Sequence, residues 1–209
     1  MTAPAGSVLD LVERIQQRGP GPLSLFTAQT DEEFEKAFDV WLERAVIGLE
    51  GDKVKFKGLD EDGLSSVLAL ALTMPGIDVA REKNRNGHVD LTIEVSFSSP
   101  IRRKLGEAKI YDGPAYHIKG LKQLLGRYTT GREGRGLLIE YVRDPDIAGL
   151  MKKVRNKMDE EQPEQQKGKA MDHSIKWSFI SIHGHSCGED LEVGHIGCNL
   201  YVCDSQDKQ

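Results

Sequence analysis

The sequence predicts an α/β fold: a central β-sheet flanked by helices, with a β-hairpin near the C-terminus. Three patterns carry this expectation. Phe34, Phe38, Trp41, Leu42, Ala45 and Val46 recur at helical spacing and mark the buried stripe of a long amphipathic helix. Apolar strand-like runs, 88–95, the stretch around Ala108 and 136–141, alternate with helix-length segments. Finally, 177–183 and 193–202 are rich in β-formers and bracket the turn Gly188-Glu189-Asp190.

The elements follow in order. A first helix spans about Ser7 to Gln17 and ends at the breaker Arg18-Gly19-Pro20-Gly21-Pro22. The second begins at Thr30, where Thr30 and Glu33 have the spacing of a capping box. Lys53-Val54-Lys55-Phe56-Lys57 alternates like a short edge strand, with lysines that would discourage pairing to other chains. A third helix covers about Asp60 to Thr73 and stops at Pro75-Gly76. Strand 77–82 leads into the turn 83–87, and strand 88–95 follows, with His88, Asp90, Thr92 and Glu94 on one side. The strand around 107–109 leads to a helix over 118–128, then strand 137–142, then a helix opened by Asp144-Pro145. The segment 158–172 is rich in Glu, Gln and Lys and reads as a mobile loop. One domain over 1–209 is expected, with 1–30 as N-terminal helix and linker, 61–142 as core and 175–203 as hairpin.

No apolar run approaches the roughly 20 residues that cross a bilayer, so no membrane partner is expected. The first residues lack the basic and apolar blocks of a secretory signal, and a cytoplasmic location is expected. Cys187, Cys198 and Cys203 are an odd set, which argues against a disulfide framework. The net charge of -5 is unevenly spread. From Ile101 to Arg135 the balance is +6, leaving about -11 for the remainder. Positive charge is thus concentrated around Glu107-Ala108-Lys109, where a phosphate backbone would be attracted.

Asp90 heads an apolar strand, and Glu107-Ala108-Lys109 occupies a second strand one hairpin later. Residues two apart on a strand project to the same face, so Glu107 and Lys109 would enter one cleft while Ala108 faces away. Carboxylate oxygens suit hard cations such as Mg²⁺ or Mn²⁺, and an adjacent ammonium suits water or phosphate. Together these groups have the chemistry for hydrolysing a phosphodiester.

The stretch Asn86-Gly87-His88-Val89-Asp90, followed by Gly106-Glu107-Ala108-Lys109, resembles the core of the PD-(D/E)XK nuclease superfamily over about 61–142. The resemblance implies a restriction-endonuclease-like mixed central β-sheet flanked by α-helices. It implies that Asp90 and Glu107 ligate Mg²⁺ or Mn²⁺ and that Lys109 positions or activates the attacking water. Some branches carry Gln-x-x-x-Tyr on the helix after the third strand. Gln123 and Tyr128 are one residue further apart than that, and at helical spacing Gln123 pairs better with Arg127. The implied activity is that of an Mg²⁺-dependent endonuclease acting on nucleic acid, with DNA the expected substrate in a prokaryotic restriction or phage-defence setting, as a homodimer or as part of a larger complex. A catalytically idle module that binds nucleic acid or a partner protein is the alternative. Arg102, Arg103 and Lys104, read as a loop between the two strands, join Lys122, Arg127 and Tyr128 as nucleic-acid contacts.

The remaining acids differ in position relative to Asp90 and Glu107. Glu82, at the end of strand 77–82, is a candidate third metal ligand. Glu94 lies on the Asp90 face but about 13 Å along the strand, too far to share a metal. Glu35, beside the apolar stripe of the second helix, reads as solvated. His183, His185 and Cys187, with His195, Cys198 and Cys203, invite a zinc reading, but Cys-x-x-Cys spacing is absent. The other reading is a hairpin whose histidines cap the sheet edge or touch substrate.

Overall fold

The computed structural model describes residue 4 and residues 6–18, 20–81, 83–84, 88–98 and 101–203. The chain divides into two compact units, Met1–Arg44 and Ala45–Gln209.

In the first unit, α1 spans Val8–Arg18 and α2 spans Pro20–Thr27. The expected breaker therefore contains a helix of its own. Pro20 and Pro22 fall in its first turn, where a missing N–H costs nothing because those donors have no helical acceptor. The long helix α3, Asp31–Gly51, begins in this unit and ends in the next. Its start is the expected capping box: the Glu33 amide donates to Thr30 Oγ1 at 3.2 Å, and the Glu33 carboxylate accepts from the Gln29 amide at 2.9 Å.

The second unit is a mixed α/β sheet with a C-terminal hairpin. Its helices are α4 (Glu61–Leu72), α5 (Pro114–Gln123) and α6 (Ile147–Glu161). The strands are β1 (Ile77–Ala80), β2 (Lys83–Asn84), β3 (His88–Val89), β4 (Leu91–Val95), β5 (Arg102–Ile110), β6 (Gly136–Val142), β7 (Met171–Asp172), β8 (Phe179–Gly184) and β9 (Asp190–Asn199). The main sheet has the order β1-β4-β5-β6-β9-β8-β7, and β2 pairs only with β3. The pairings β5–β6 and β6–β9 are parallel; the others are antiparallel. Parallel neighbours need a crossover, and α5 supplies it between β5 and β6.

Register decides which side chains share a face. Glu107 pairs with Leu138 and Lys109 with Glu140, while Leu138 pairs with His195. These residues therefore project together, toward a core that includes Leu121 and Leu124 near α5 and Met151, Val154 and Met158 of α6. On the opposite face Tyr141 reaches Ser65 of α4, with hydroxyl oxygens 3.4 Å apart. Burying each such Leu or Val stabilises by roughly 1.5–3 kcal/mol, which fixes the register because a one-residue slip would reverse the faces.

Three expectations change here. Residues 53–57 form hydrogen-bonded turns after α3, with Lys55 N bonded to Asp52 O and Phe56 N to Lys53 O, and no strand pairs with them. The run expected over 88–95 is interrupted at Asp90, which separates β3 from β4, and β4 is buried on both faces except at Glu94. The segment 158–172 is helical as far as Glu161, because Met158 is buried in the core. Beyond it the Asp159 carboxylate accepts from the Ala170 amide at 2.7 Å and from Gln166 at 3.3 Å. Among the described residues, no helix is long and apolar enough to cross a membrane.

Candidate active site

The site lies where the sheet forks. Strand β4 accompanies β5 only as far as the pair Leu91–Gly106, and β5 continues to Ile110. Beyond the fork, the edge amides of Ala108 and Ile110 have no β4 partner. Two carboxylates take its place: Asp90 Oδ2 accepts from Ala108 N at 2.8 Å, and Glu61 Oε2 accepts from Ile110 N at 3.0 Å. Backbone donors buried without an acceptor are expensive, so the fork itself calls for acids at these two places. Glu61 opens α4, one residue after the N-cap Asp60, whose carboxylate accepts from Gly63 N at 2.8 Å.

Glu107 and Lys109 project side by side from β5, as their spacing requires. Lys109 Nζ lies 2.7 Å from Glu107 Oε1, 3.1 Å from Glu61 Oε1 and 3.9 Å from Asp90 Oδ2. Three carboxylates around one ammonium carry a formal charge of -2 when all are ionised. Glu107 is 2 % exposed, and its Oε2 has no hydrogen-bond partner among the described residues. Burial, with the nearby Asp90 charge, pushes the Glu107 carboxyl up to about 7, against the pull of Lys109. Burial also raises Asp90, partly offset by the Ala108 amide and Lys109. For Lys109 burial acts downward, but Glu107, Asp90 and Glu61 outweigh it and hold the ammonium above its ordinary value. The lysine stays charged while Glu107 is poised near neutrality.

A dication suits this set on two observations. The donors are all carboxylate oxygens, the preference of hard cations, and the orphaned Glu107 oxygen lacks a partner that such an ion would provide. Among the described residues, however, no three His, Cys, Asp or Glu side chains are grouped as a ready metal cage. Lys109 stands among the acids, bonded to two of them.

Helix α5 closes over the site through Gly120. A Cβ at that position would lie 3.1 Å from Leu138 Cδ1, 3.4 Å from Lys109 Cγ and 3.7 Å from Glu107 Cγ. Gln123 ends α5, half-buried, and makes no hydrogen bond to the acid cluster among the described residues. The helix then widens into a π-helical turn, Leu124–Tyr128, closed by Thr129 N donating to Leu124 O at 3.2 Å. Such a turn aligns backbone positions five apart, so position 128 comes closer to the line of Gln123 than α-helical spacing predicts. Arg127 and Tyr128 enter only as backbone.

The basic residues separate. Arg102, Arg103 and Lys104 belong to strand β5, not to a loop. Lys104 is 2 % exposed and donates to the Arg135 carbonyl at 3.1 Å, which removes it from the nucleic-acid contacts. Arg103 pairs with Glu94 at 2.9 Å. Lys122 on α5 is exposed. Glu82 lies outside the described residues. Glu61 was not singled out by sequence; an acid in the first turn of the helix preceding the core was its only signal, and it reads equally well as a cap.

The C-terminal histidines and cysteines part company. His183 and His195 are fully buried, Cys198 is buried, and Cys187 and Cys203 are exposed. Burial, with the Glu50 charge, pushes the Cys198 thiol up. No protein-family model, characterised protein or solved structure matches the chain.

Proposed function

We propose that the chain is a metal-dependent nuclease of the PD-(D/E)XK kind, hydrolysing phosphodiester bonds in DNA. The observation that carries the reading is the convergence of Asp90, Glu107 and Lys109, separated by up to 19 positions, within 4 Å of one ammonium, with a buried carboxylate oxygen left over. Asp90 and Glu107 would hold Mg²⁺ or Mn²⁺, with Glu61 as a nearby third acid. Bound there, the cation supplies Lewis-acid stabilisation of the charge that builds on phosphate.

The side chains have distinct tasks. Lys109, kept cationic by three acids, holds the attacking water or a phosphate oxygen by hydrogen bonding. Glu107, once ionised, would share the cation with Asp90. Asp90 is fixed by the Ala108 amide and so offers its other oxygen in a set direction. The exposed Lys122 would contact the phosphate backbone, with Gln123 in support. One cutting site per chain favours a homodimer or a subunit of a larger defence complex in the cytoplasm, and a monomer by light scattering under cutting conditions would argue against it.

The test is cleavage of supercoiled and single-stranded DNA with Mg²⁺, Mn²⁺ or EDTA, comparing the native chain with Lys109→Ala. Metal-dependent cutting that the substitution abolishes supports the reading. No cutting on any substrate, with DNA binding unchanged by the substitution, points instead to an idle binding module.

A further inference from the structure

A second polar chain crosses the same face of the sheet. Glu140 Oε1 lies 2.7 Å from His117 Nδ1, and His117 Nε2 lies 2.7 Å from His195 Nδ1. His195 Nε2 lies 2.7 Å from Ser181 Oγ, which is 2.6 Å from His183 Nε2. His183 Nδ1 ends the chain 3.1 Å from the Glu164 carbonyl oxygen. The five side chains are at most 1 % exposed. They come from β6, α5, β9 and β8, and the Phe179 ring stacks on His195 with centroids 4.3 Å apart.

We infer that Glu140, His117, His195, Ser181 and His183 form a proton-binding site that stores one proton beyond those of neutral imidazoles, a hydroxyl and an ionised carboxylate. The reason is a count of hydrogens. Five hydrogen bonds need five protons, and the Glu164 carbonyl can only accept. Three neutral imidazoles and one serine supply four. The fifth sits on Glu140 or makes one imidazole cationic, and every such placement fills all five bonds. Ser181 is the joint: with an ionised Glu140 and no fifth proton, donation toward Glu140 and donation toward Glu164 both start there, and one bond goes empty. Unfilled polar groups at this depth are costly, so the site retains its proton.

Charged and titratable neighbours set where that proton rests. Lys109 is the register partner of Glu140, Glu107 projects beside it from β5, and Tyr111 and Asp144 lie toward the Glu140 end. His173 flanks His195, and the Glu164 and Pro163 carbonyls face His183. Burial, then the charges of His117, His183 and His173, holds His195 well below the ordinary imidazole value, and burial lowers His183. The carboxylate stands at the Glu140–His117 end, so a proton held there leaves no net buried charge. The proton can pass to His183 by each imidazole and Ser181 taking a proton on one side and releasing one on the other, so no atom is left short. With the proton displaced, a carboxylate stands beside Lys109; with it returned, that position is neutralised.

The test uses the full chain with ¹⁵N-labelled histidine, read by NMR at neutral pH, with infrared detection of a protonated Glu140 carboxyl. The native protein is expected to show one doubly protonated imidazole among His117, His195 and His183, or a protonated Glu140. Ser181→Ala splits the chain into halves that need no fifth proton, so three singly protonated imidazoles and an ionised Glu140 are expected. Three singly protonated imidazoles with ionised Glu140 in the native protein overturn the inference, and this holds even if the variant does not fold. Retention of the extra proton in a folded Ser181→Ala protein overturns it as well. None of these readouts depends on nuclease activity.

Discussion

Two buried polar clusters share one face of the sheet, and they balance charge in opposite ways. Around Lys109, three carboxylates meet one ammonium, with a formal excess of two negative charges when all are ionised. Around His195, one carboxylate meets three imidazoles and a hydroxyl, and a proton closes the account internally. Each leaves one carboxylate oxygen without a partner, Glu107 Oε2 and Glu140 Oε2. The first cluster carries excess negative charge beside a fork in the sheet, whereas the second links its groups to one another within the core.

The largest effect should come from breaking the first cluster. Lys109→Ala and Asp90→Asn are each expected to lower metal-dependent cleavage by about 10²-fold or more, in line with loss of a positioned acid–base group. Single-turnover cleavage measures this, and Ser181→Ala, in the other cluster, should leave cutting within a few-fold of native. Next in size is pH dependence. Since Glu107 is raised from 4.5 to about 7, its contribution to stability is fully present below 4.5 and is lost as pH rises through 7. Glu107→Gln removes this loss, so urea unfolding should show the variant more stable than native at pH 8, by at most about 3 kcal/mol. Saturating Mg²⁺ should stabilise the native protein at pH 8, by roughly 2.7 kcal/mol at a hundredfold excess over Kd, and much less at pH 5 where Glu107 binds a proton instead. No Mg²⁺ effect at either pH would remove the distinction between the clusters. The smallest effect is at the lid: Gly120→Ala places a methyl 3.1 Å from Leu138 Cδ1 and 3.4 Å from Lys109 Cγ, and a loss of about 1–3 kcal/mol is expected in thermal unfolding.

The two clusters also differ in how far the sequence reveals them. Glu107 and Lys109 were legible because strand period two is a local rule, and Asp90 because it precedes an apolar run. Glu61 was hidden by a competing local explanation, since an acid in a first helical turn already satisfies the helix dipole. The imidazole chain was not legible at all. His117 lies on a helix 78 positions from His195, and only the order β5-β6-β9-β8 brings them together. Lys104 misled for a related reason: a run of three basic residues reads as solvated, whereas continuation of β5 to Arg102 buries its middle-facing member against the Arg135 carbonyl. The wider turn after Gln123 was equally out of reach, because a single five-residue π turn is too short to show a period of its own.

The fork in the sheet bears on inheritance. Asp90 and Glu61 finish the hydrogen bonding of a strand that has lost its neighbour. A relative that did not cut nucleic acid would still need acceptors at Ala108 and Ile110, so selection on folding alone would keep both acids. Lys109 satisfies no backbone group by its ammonium and enjoys no such protection. Among relatives of this chain, retention of the acids would therefore be weak testimony to a living enzyme, and retention of the lysine would be the telling mark.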